Sequence, residues 1–291
     1  MMSSLSWLLG AIRAGAPGAG QGRRGRYTSD MMRVLALLLG LLAGPLSAQQ
    51  TEVDVELLLL VDVSRSMSPS ELALQRQGYA TALTSPQVVT AIGDSMTGQI
   101  ALAYVEWAGA GRQRIIMDWT LIRGEDDLTA FADVLRVGRL TTQLRTSIHA
   151  AIDFGADYID GNGYAGLRRV IDISGDGPNN EGRPAPEARD QAIARGITIN
   201  GLPLMTRGTG SAGMRLDDLD VYYANCVIGG PGAFVIPVTR WEDFAEAVTR
   251  KLVLELADAA PAPEQITLAQ GYNCLIGEQM WFRRNQNMRE P

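Results

Sequence analysis

Histidine and lysine are nearly absent from this chain. His149 and Lys251 are the only ones, and cysteine occurs twice, at Cys226 and Cys274. One histidine excludes a zinc centre of the usual kind, which draws on several His or Cys ligands. His149 falls in a helical stretch, where a lone imidazole serves packing or the surface. Aromatic residues make up only 6%, and Trp107 and Trp119 fall in strand-like segments, which assigns them to the core rather than to a recognition patch. Basic charge does not dominate: 26 Lys and Arg against 32 Asp and Glu leave a net charge of −6, unlike the basic footprint of a nucleic-acid binder. Neither Ser64 nor Ser66 sits in a Gly-x-Ser-x-Gly turn, so a serine hydrolase has no nucleophile elbow here. The segment "GGPGAF", Gly229 to Phe234, lacks the Gly-Lys-Ser/Thr ending of a phosphate loop and reads as a turn.

Near the N-terminus, Arg33 precedes the apolar stretch Val34–Leu42, and the small residues Ser47 and Ala48 follow. This is the layout of an export signal cleaved after Ala48, and the stretch is far short of the about 20 residues of a spanning helix. An uncleaved membrane anchor is the alternative. Residues 1–30 are rich in Gly and Arg and carry no helical pattern, so the start is Met1, Met31 or Met32; "GRRGRY" also suggests a twin-arginine signal. Removing residues 1–48 takes away five arginines and Asp30, which lowers the net charge from −6 to −10. An acidic exported protein suits cations better than nucleic acid or anionic lipid. In an oxidising compartment Cys226 and Cys274 either pair, tying the C-terminal tail to the domain, or stand as two buried thiols. The sequence leaves both open.

From residue 51 onward strand and helix patterns alternate. Val53–Val63 is an apolar strand. A helix follows, with Ser68 as N-cap, Pro69 at its first position and Glu71 three residues after the cap. "GQIALAYVEWAG" and "RQRIIMDWTLI" read as a hairpin turning at Gly109–Gly111. Helices over "EDDLTAFADVLRVG" and "TSIHAAIDFGADYI", the strand "LRRVIDIS", a helix closed by Gly196 and the strand "ITINGLPL" come next. A short helix "LDDLDVYYANCV", a strand "AFVIPV" and a long amphipathic helix from Trp241 complete the pattern. This order predicts an α/β, doubly wound sheet, mostly parallel with one antiparallel edge strand and helices on both faces. The domain is expected over residues 49–257, with a Pro/Ala linker and tail over 258–291.

The oxygen-bearing residues gather where such a sheet binds ligands, outside the C-terminal ends of its strands. Asp62, Ser64 and Ser66 follow the first strand. Thr146 opens a helix, and Asp176 follows the strand ending at Ser174. Two carboxylates and three hydroxyls suit a hard divalent cation such as Mg²⁺, with Mn²⁺ or Ca²⁺ as alternatives. Neutral hydroxyl ligands leave the ion with net positive charge, which a partner's carboxylate can complete.

"LLLVDVSRSM" resembles the metal-ion-dependent adhesion site of von Willebrand factor A domains, whose pattern is Asp-x-Ser-x-Ser on one loop, Thr on a second and Asp on a third. Those positions fall on Asp62, Ser64, Ser66, Thr146 and Asp176. The segments "YVEWAG", "VIDISGDGPNN", "INGLPL" and "VIGGPGAFV" further resemble an exported bacterial von Willebrand A-like family of unknown function. The resemblance implies a non-enzymatic, periplasmic or secreted domain that binds a protein ligand through a divalent cation. In most members Thr directly precedes the third-loop Asp; here Gly175 does, and its backbone freedom is expected to alter how Asp176 is placed. Asp172 shares a strand face with Ser174 and reads as a structural acid rather than a ligand.

The rival reading is a Mg²⁺-dependent phosphatase of the haloacid dehalogenase type with Asp62 as nucleophile, since "GDGPNN" resembles that family's late motif. Its chemistry calls for Asp-x-Asp, so that the second acid serves the leaving group, and Ser64 stands there instead. The only lysine lies after the late motif instead of before it, leaving Arg168 or Arg169 as substitutes for phosphate binding.

Overall fold

The structure is a computed structural model that describes residues 50–206, 215–257 and 271–287. The expected export signal and the linker beyond Ala257 lie outside these residues. Five strands form one sheet in the order β3-β2-β1-β4-β5: β1 Thr51–Asp62, β2 Ile100–Trp107, β3 Gln113–Ile122, β4 Tyr164–Gly175 and β5 Ile197–Pro203. All neighbouring pairs are parallel except β2 and β3, the edge hairpin.

β1 is central, which explains its unbroken apolar run. From Val53 to Asp62 every residue is buried, because a parallel strand in mid-sheet is covered on both faces. Leu57, Leu59 and Val61 join the core on one face, while Leu58 and Leu60 join the core on the other. At about 1.5–3 kcal/mol for each fully buried side chain of this kind, these five residues make β1 the least movable part of the sheet. It is a rigid base for the loop that follows.

One face is covered by α1 (Pro69–Leu83), α2 (Pro86–Gly93), α3 (Glu125–Val137) and α7 (Phe244–Leu256), which supply Leu72, Ile92, Phe131 and Val248 to that core. The other carries α4 (Ile148–Asp160), α5 (Ala185–Ala194) and α6 (Leu219–Tyr222), which runs into a π-helical turn, Tyr223–Val227. The capping box expected for α1 is formed: the Glu71 N–H donates to Ser68 Oγ at 3.3 Å, and the Ser68 N–H donates to Glu71 Oε2 at 2.7 Å.

Three details differ from the sequence reading. "AFVIPV" is not a strand: Val235 and Val238 make only isolated bridges, to Gly201 and Leu204, and Pro237, without an N–H, cannot continue a ladder. Helix α2 was not expected, although Ser85 caps it and Pro86 opens it. The tail carries an eighth helix, α8 (Ile276–Asn287), and the disulfide Cys226–Cys274 joins the segment before it to the π-helical turn. Among the described residues no helix is long and apolar enough to cross a membrane.

The sole lysine is a core residue. Lys251 Nζ lies 2.8 Å from Asp172 Oδ1 and 2.5 Å from Glu255 Oε1, all three buried. Asn200 donates to the same Glu255 oxygen at 2.9 Å. Asp172 is therefore an ion-paired structural acid, as its place on the strand suggested.

Candidate metal centre

The sheet order sets where a ligand can enter. From β1 the chain continues to β2 on one side, while β4 lies on the other, so the loops leaving β1 and β4 diverge and open a crevice at their C-terminal ends. Asp62 is the last residue of β1, and Asp176 follows the last residue of β4. Register puts the two strand ends side by side, with Val61 opposite Ser174.

The first loop is held by its own carboxylate: the Ser64 N–H donates to Asp62 Oδ1 at 2.6 Å. That turn aims both hydroxyls at the third loop. Ser66 Oγ donates to Asp176 Oδ1 at 2.7 Å, Ser64 Oγ approaches the same oxygen at 3.5 Å, and the two hydroxyls are 2.8 Å apart. Thr146 comes from the second loop, just before α4. Its N–H donates to Asn180 Oδ1 at 3.1 Å and its carbonyl accepts from the Asn180 N–H at 2.9 Å, which locks the second loop to the third. A hydrogen bond from the Gln143 N–H to the Val63 carbonyl, 3.0 Å, ties the second loop to the first. Ser66, Thr146 and Asp176 line one cavity of 390 Å³. Asp62 and Ser64 are buried and do not line it. Among the described residues Thr146 makes no side-chain hydrogen bond, whereas the two serines and Asp176 form a bonded cluster.

The charge balance of this cluster is incomplete. Asp62 Oδ2 is buried with no hydrogen-bond partner among the described residues, which is costly for an anionic oxygen. Burial, and then repulsion from Asp176, push the Asp62 carboxyl well above the usual range. Burial also raises Asp176, to about 6; the Ser66 hydrogen bond opposes this and the Glu71 charge adds to it. A divalent cation against both carboxylates would supply the missing partner and cancel their repulsion, so the residues fit such an ion. Among the described residues no three His, Cys, Asp or Glu side chains cluster as a metal site. A cation here must draw on the serine and threonine hydroxyls, as hard oxygen-seeking ions can.

Gly175 acts through space rather than through backbone freedom. It takes no positive φ, which corrects the expectation of an unusual backbone angle. A Cβ at this position would lie 2.7 Å from the Tyr223 hydroxyl, 3.0 Å from Asp62 Oδ2 and 3.3 Å from Trp107 Cζ2. The Tyr223 ring also closes over Gly201, where a Cβ would meet ring carbon Cδ1 at 2.7 Å. Tyr223 thus occupies the room that a threonine side chain would need. Its hydroxyl, like Trp107 Nε1, is buried without a hydrogen-bond partner among the described residues, and burial followed by the Asp62 charge raises its pKa far above normal.

Sequence reasoning missed Tyr223, which nothing in "VYYANCV" marks as lying beside Asp62. It also missed Arg145, the one non-glycine residue with positive φ among those described, at 74°. Such strain in a bulky residue is uncommon and tends to cluster at functional sites; here it immediately precedes Thr146. His149 is half-buried, within 3.0 Å of Ser147 Oγ, and takes no part in the cluster.

A family model described as a protein of unknown function (DUF1194) matches residues 52–260. The chain belongs to this family. Among solved structures, proximal thread matrix protein 1 from the mussel byssus is similar at 14% identity and a TM-score of 0.52, over 72% of this chain and 49% of that one. The chain thus spans about half the length of the mussel protein. A further structure of that protein, described as having a zinc-occupied MIDAS motif, gives a TM-score of 0.49 at 14% identity, with the same coverage of 72% and 49%. A von Willebrand factor type A protein from Catenulispora acidiphila gives 0.48 at 15% identity, over 71% of this chain and 43% of that one. No curated protein matches. The fold of this DUF1194 member is von Willebrand A-like.

Proposed function

We propose that this protein is an exported, non-enzymatic binding domain that holds one divalent cation at Asp62, Ser64, Ser66, Thr146 and Asp176 and engages a protein ligand through it. The observation that carries the reading is the partnerless, buried Asp62 Oδ2 beside a second carboxylate and two bonded hydroxyls. Asp62 and Asp176 supply the negative charge. The three hydroxyls supply neutral oxygen, some of them through water. The bound ion, Mg²⁺ or Mn²⁺, keeps positive charge toward the cavity and attracts an acidic side chain of the partner. Residues 1–48 are the export signal in this reading, residues 49–257 the domain and residues 258–291 a linker and tail. The Cys226–Cys274 disulfide fits a periplasmic or secreted setting.

The phosphatase alternative lacks supporting geometry. Arg168 and Arg169 pair in register with Val55 and Glu56, which puts Arg168 roughly 23 Å from Asp62 at about 3.3 Å per residue. Lys251 is buried in its ion pairs. Ser64 occupies the place where that chemistry needs a second acid to serve the leaving group.

Calorimetric titration with MgCl₂ and MnCl₂ tests the reading. Saturable binding by the wild type that Asp62→Ala abolishes supports it; unchanged affinity in Asp62→Ala removes the metal centre. Phosphoester turnover that is lost in Asp62→Asn would overturn the non-enzymatic reading. Capture of a partner from the exported fraction, reversed by chelator, would identify the ligand.

A further inference from the structure

The cavity above the candidate centre has more cationic than acidic side chains in its lining, in a chain whose net charge is negative. Arg65, Arg145, Arg215 and Arg284 all line it, with Trp281 at its wall. Most arginines elsewhere in the described structure are satisfied by acids: Arg76 and Arg114 by Glu106, Arg169 by Asp160, Arg195 by Asp157 and Asp160. None of the four cavity arginines forms a salt bridge among the described residues. Arg145 stacks on the Trp281 ring, 3.8 Å from its centroid, and Arg215 donates to the Thr206 carbonyl. Arg65 and Arg284 make no hydrogen bond there. Glu71 and Asp176 are the acids that line the cavity with them; a cation held at Asp176 would take up that carboxylate, and a bound anion would then relieve the repulsion left among the guanidinium groups.

Part of this wall comes from beyond the residues the family model matches. Trp281 and Arg284 belong to α8, outside residues 52–260. The helix is seated by three contacts. The disulfide to Cys226 ends just before it. Asn179 Nδ2 donates to Glu278 Oε1 at 2.6 Å. At Gly277, a Cβ would meet the Asn179 carbonyl oxygen at 2.0 Å, so the helix start lies directly on the third loop.

We infer that the tail helix and the loop arginines together form a second anion-binding subsite beside the metal centre, and that the ligand is an acidic protein segment bearing at least two carboxylates close in sequence. One carboxylate meets the cation, and another meets the arginines, chiefly Arg215 and Arg284. The inference rests on the metal-centre reading and adds the second carboxylate to it. The segment is favoured over a free small dicarboxylate because the arginines are spread over three loops and a helix around a 390 Å³ cavity.

The test uses the full exported chain, MnCl₂ and fluorescein-labelled peptides, Gly-Asp-Gly-Asp-Gly and Gly-Asp-Gly-Asn-Gly, read by fluorescence anisotropy. The two-acid peptide is expected to bind at least about tenfold more tightly than the one-acid peptide, since a bidentate charge-assisted contact is among the stronger hydrogen bonds. In the Arg215→Ala/Arg284→Ala double variant, whose altered residues are exposed, that preference is expected to vanish. Mn²⁺ binding persists in that variant, because neither arginine is a proposed ligand of the ion, and losing two positive charges beside the site should tighten it rather than weaken it. Equal binding of the two peptides by the wild type, or an unchanged preference in the double variant, overturns the inference while chelator-sensitive binding leaves the metal centre standing. An arginine-dependent preference that chelator does not touch supports the anion subsite and overturns the metal centre. Competition by free glutarate at the peptide's own concentration overturns the assignment to a protein segment.

Discussion

Replacing Gly175 by Ala places a methyl group where three buried side chains, Tyr223, Asp62 and Trp107, already converge. The new Cβ would sit 2.7 Å from the Tyr223 hydroxyl and 3.0 Å from Asp62 Oδ2, both fully buried. Tyr223 cannot retreat, because its ring is pressed over Gly201. Overpacking of this kind costs about 1–3 kcal/mol. Alanine also stiffens the unfolded chain, which offsets about 0.4–1 kcal/mol at a position without positive φ. The net expectation is a loss of about 1–2 kcal/mol. Tyr223→Phe removes the nearest obstructing atom, a hydroxyl without a partner, and by itself should change stability by less than about 1 kcal/mol. In the double variant the damage at residue 175 should shrink by about 1 kcal/mol, a coupling well above the roughly 0.3–0.5 kcal/mol within which independent sites add. Urea unfolding of the four proteins measures the cycle. Additive effects would show that Tyr223 is not the reason for the glycine. Calorimetry adds a second readout: Gly175→Ala should weaken Mn²⁺ binding through Asp62, and Tyr223→Phe should not restore it.

Three further outcomes follow from the buried charges and the tail. Burial, against the pull of Lys251 and with repulsion from Glu255, raises Asp172 to about 7. The native state then keeps a proton that the unfolded chain releases above about pH 4, so this residue's contribution to stability falls as pH rises from about 4 to 7 and levels off above that. Asp172→Asn should flatten that slope in urea midpoints measured across the range; an identical slope would refute the assignment. Glu106 joins Arg76 and Arg114 through contacts of 2.5 Å each and is almost fully buried. Glu106→Ala strands the buried Arg76 and should cost about 3–5 kcal/mol in chemical denaturation, whereas a loss below about 1 kcal/mol would place the pair in the class of surface bridges. Cys226 and Cys274 close a loop of sequence separation 48. Cys274→Ser should lower stability by up to about 4 kcal/mol and open the tail to limited proteolysis, and an unchanged digestion pattern would show that the other contacts of α8 suffice to hold it.

Much of the architecture was readable in the residue order. The unbroken run Leu57–Val61 reads as a buried strand, which it is, and Ser68, Pro69 and Glu71 marked the start of α1 because capping is a local property. The three loops carrying Asp62, Thr146 and Asp176 were legible for the same reason, since each motif lies at the end of a recognisable element. α2 escaped notice although Ser85 and Pro86 announce it. "AFVIPV" was overread because apolar character marks burial without specifying a ladder.

Residue order alone therefore dictated the alternating α/β pattern, the central strand and the oxygen-rich loops, all of which depend on neighbours in the chain. Only the tertiary structure decided what those loops face. Tyr223 reaches Gly175 from 48 residues away in sequence, Lys251 finds Asp172 across the core, and α8 places Trp281 and Arg284 on the cavity wall. Such contacts arise from how helices pack over a twisted sheet and from where a disulfide closes, and no local pattern of residues encodes them.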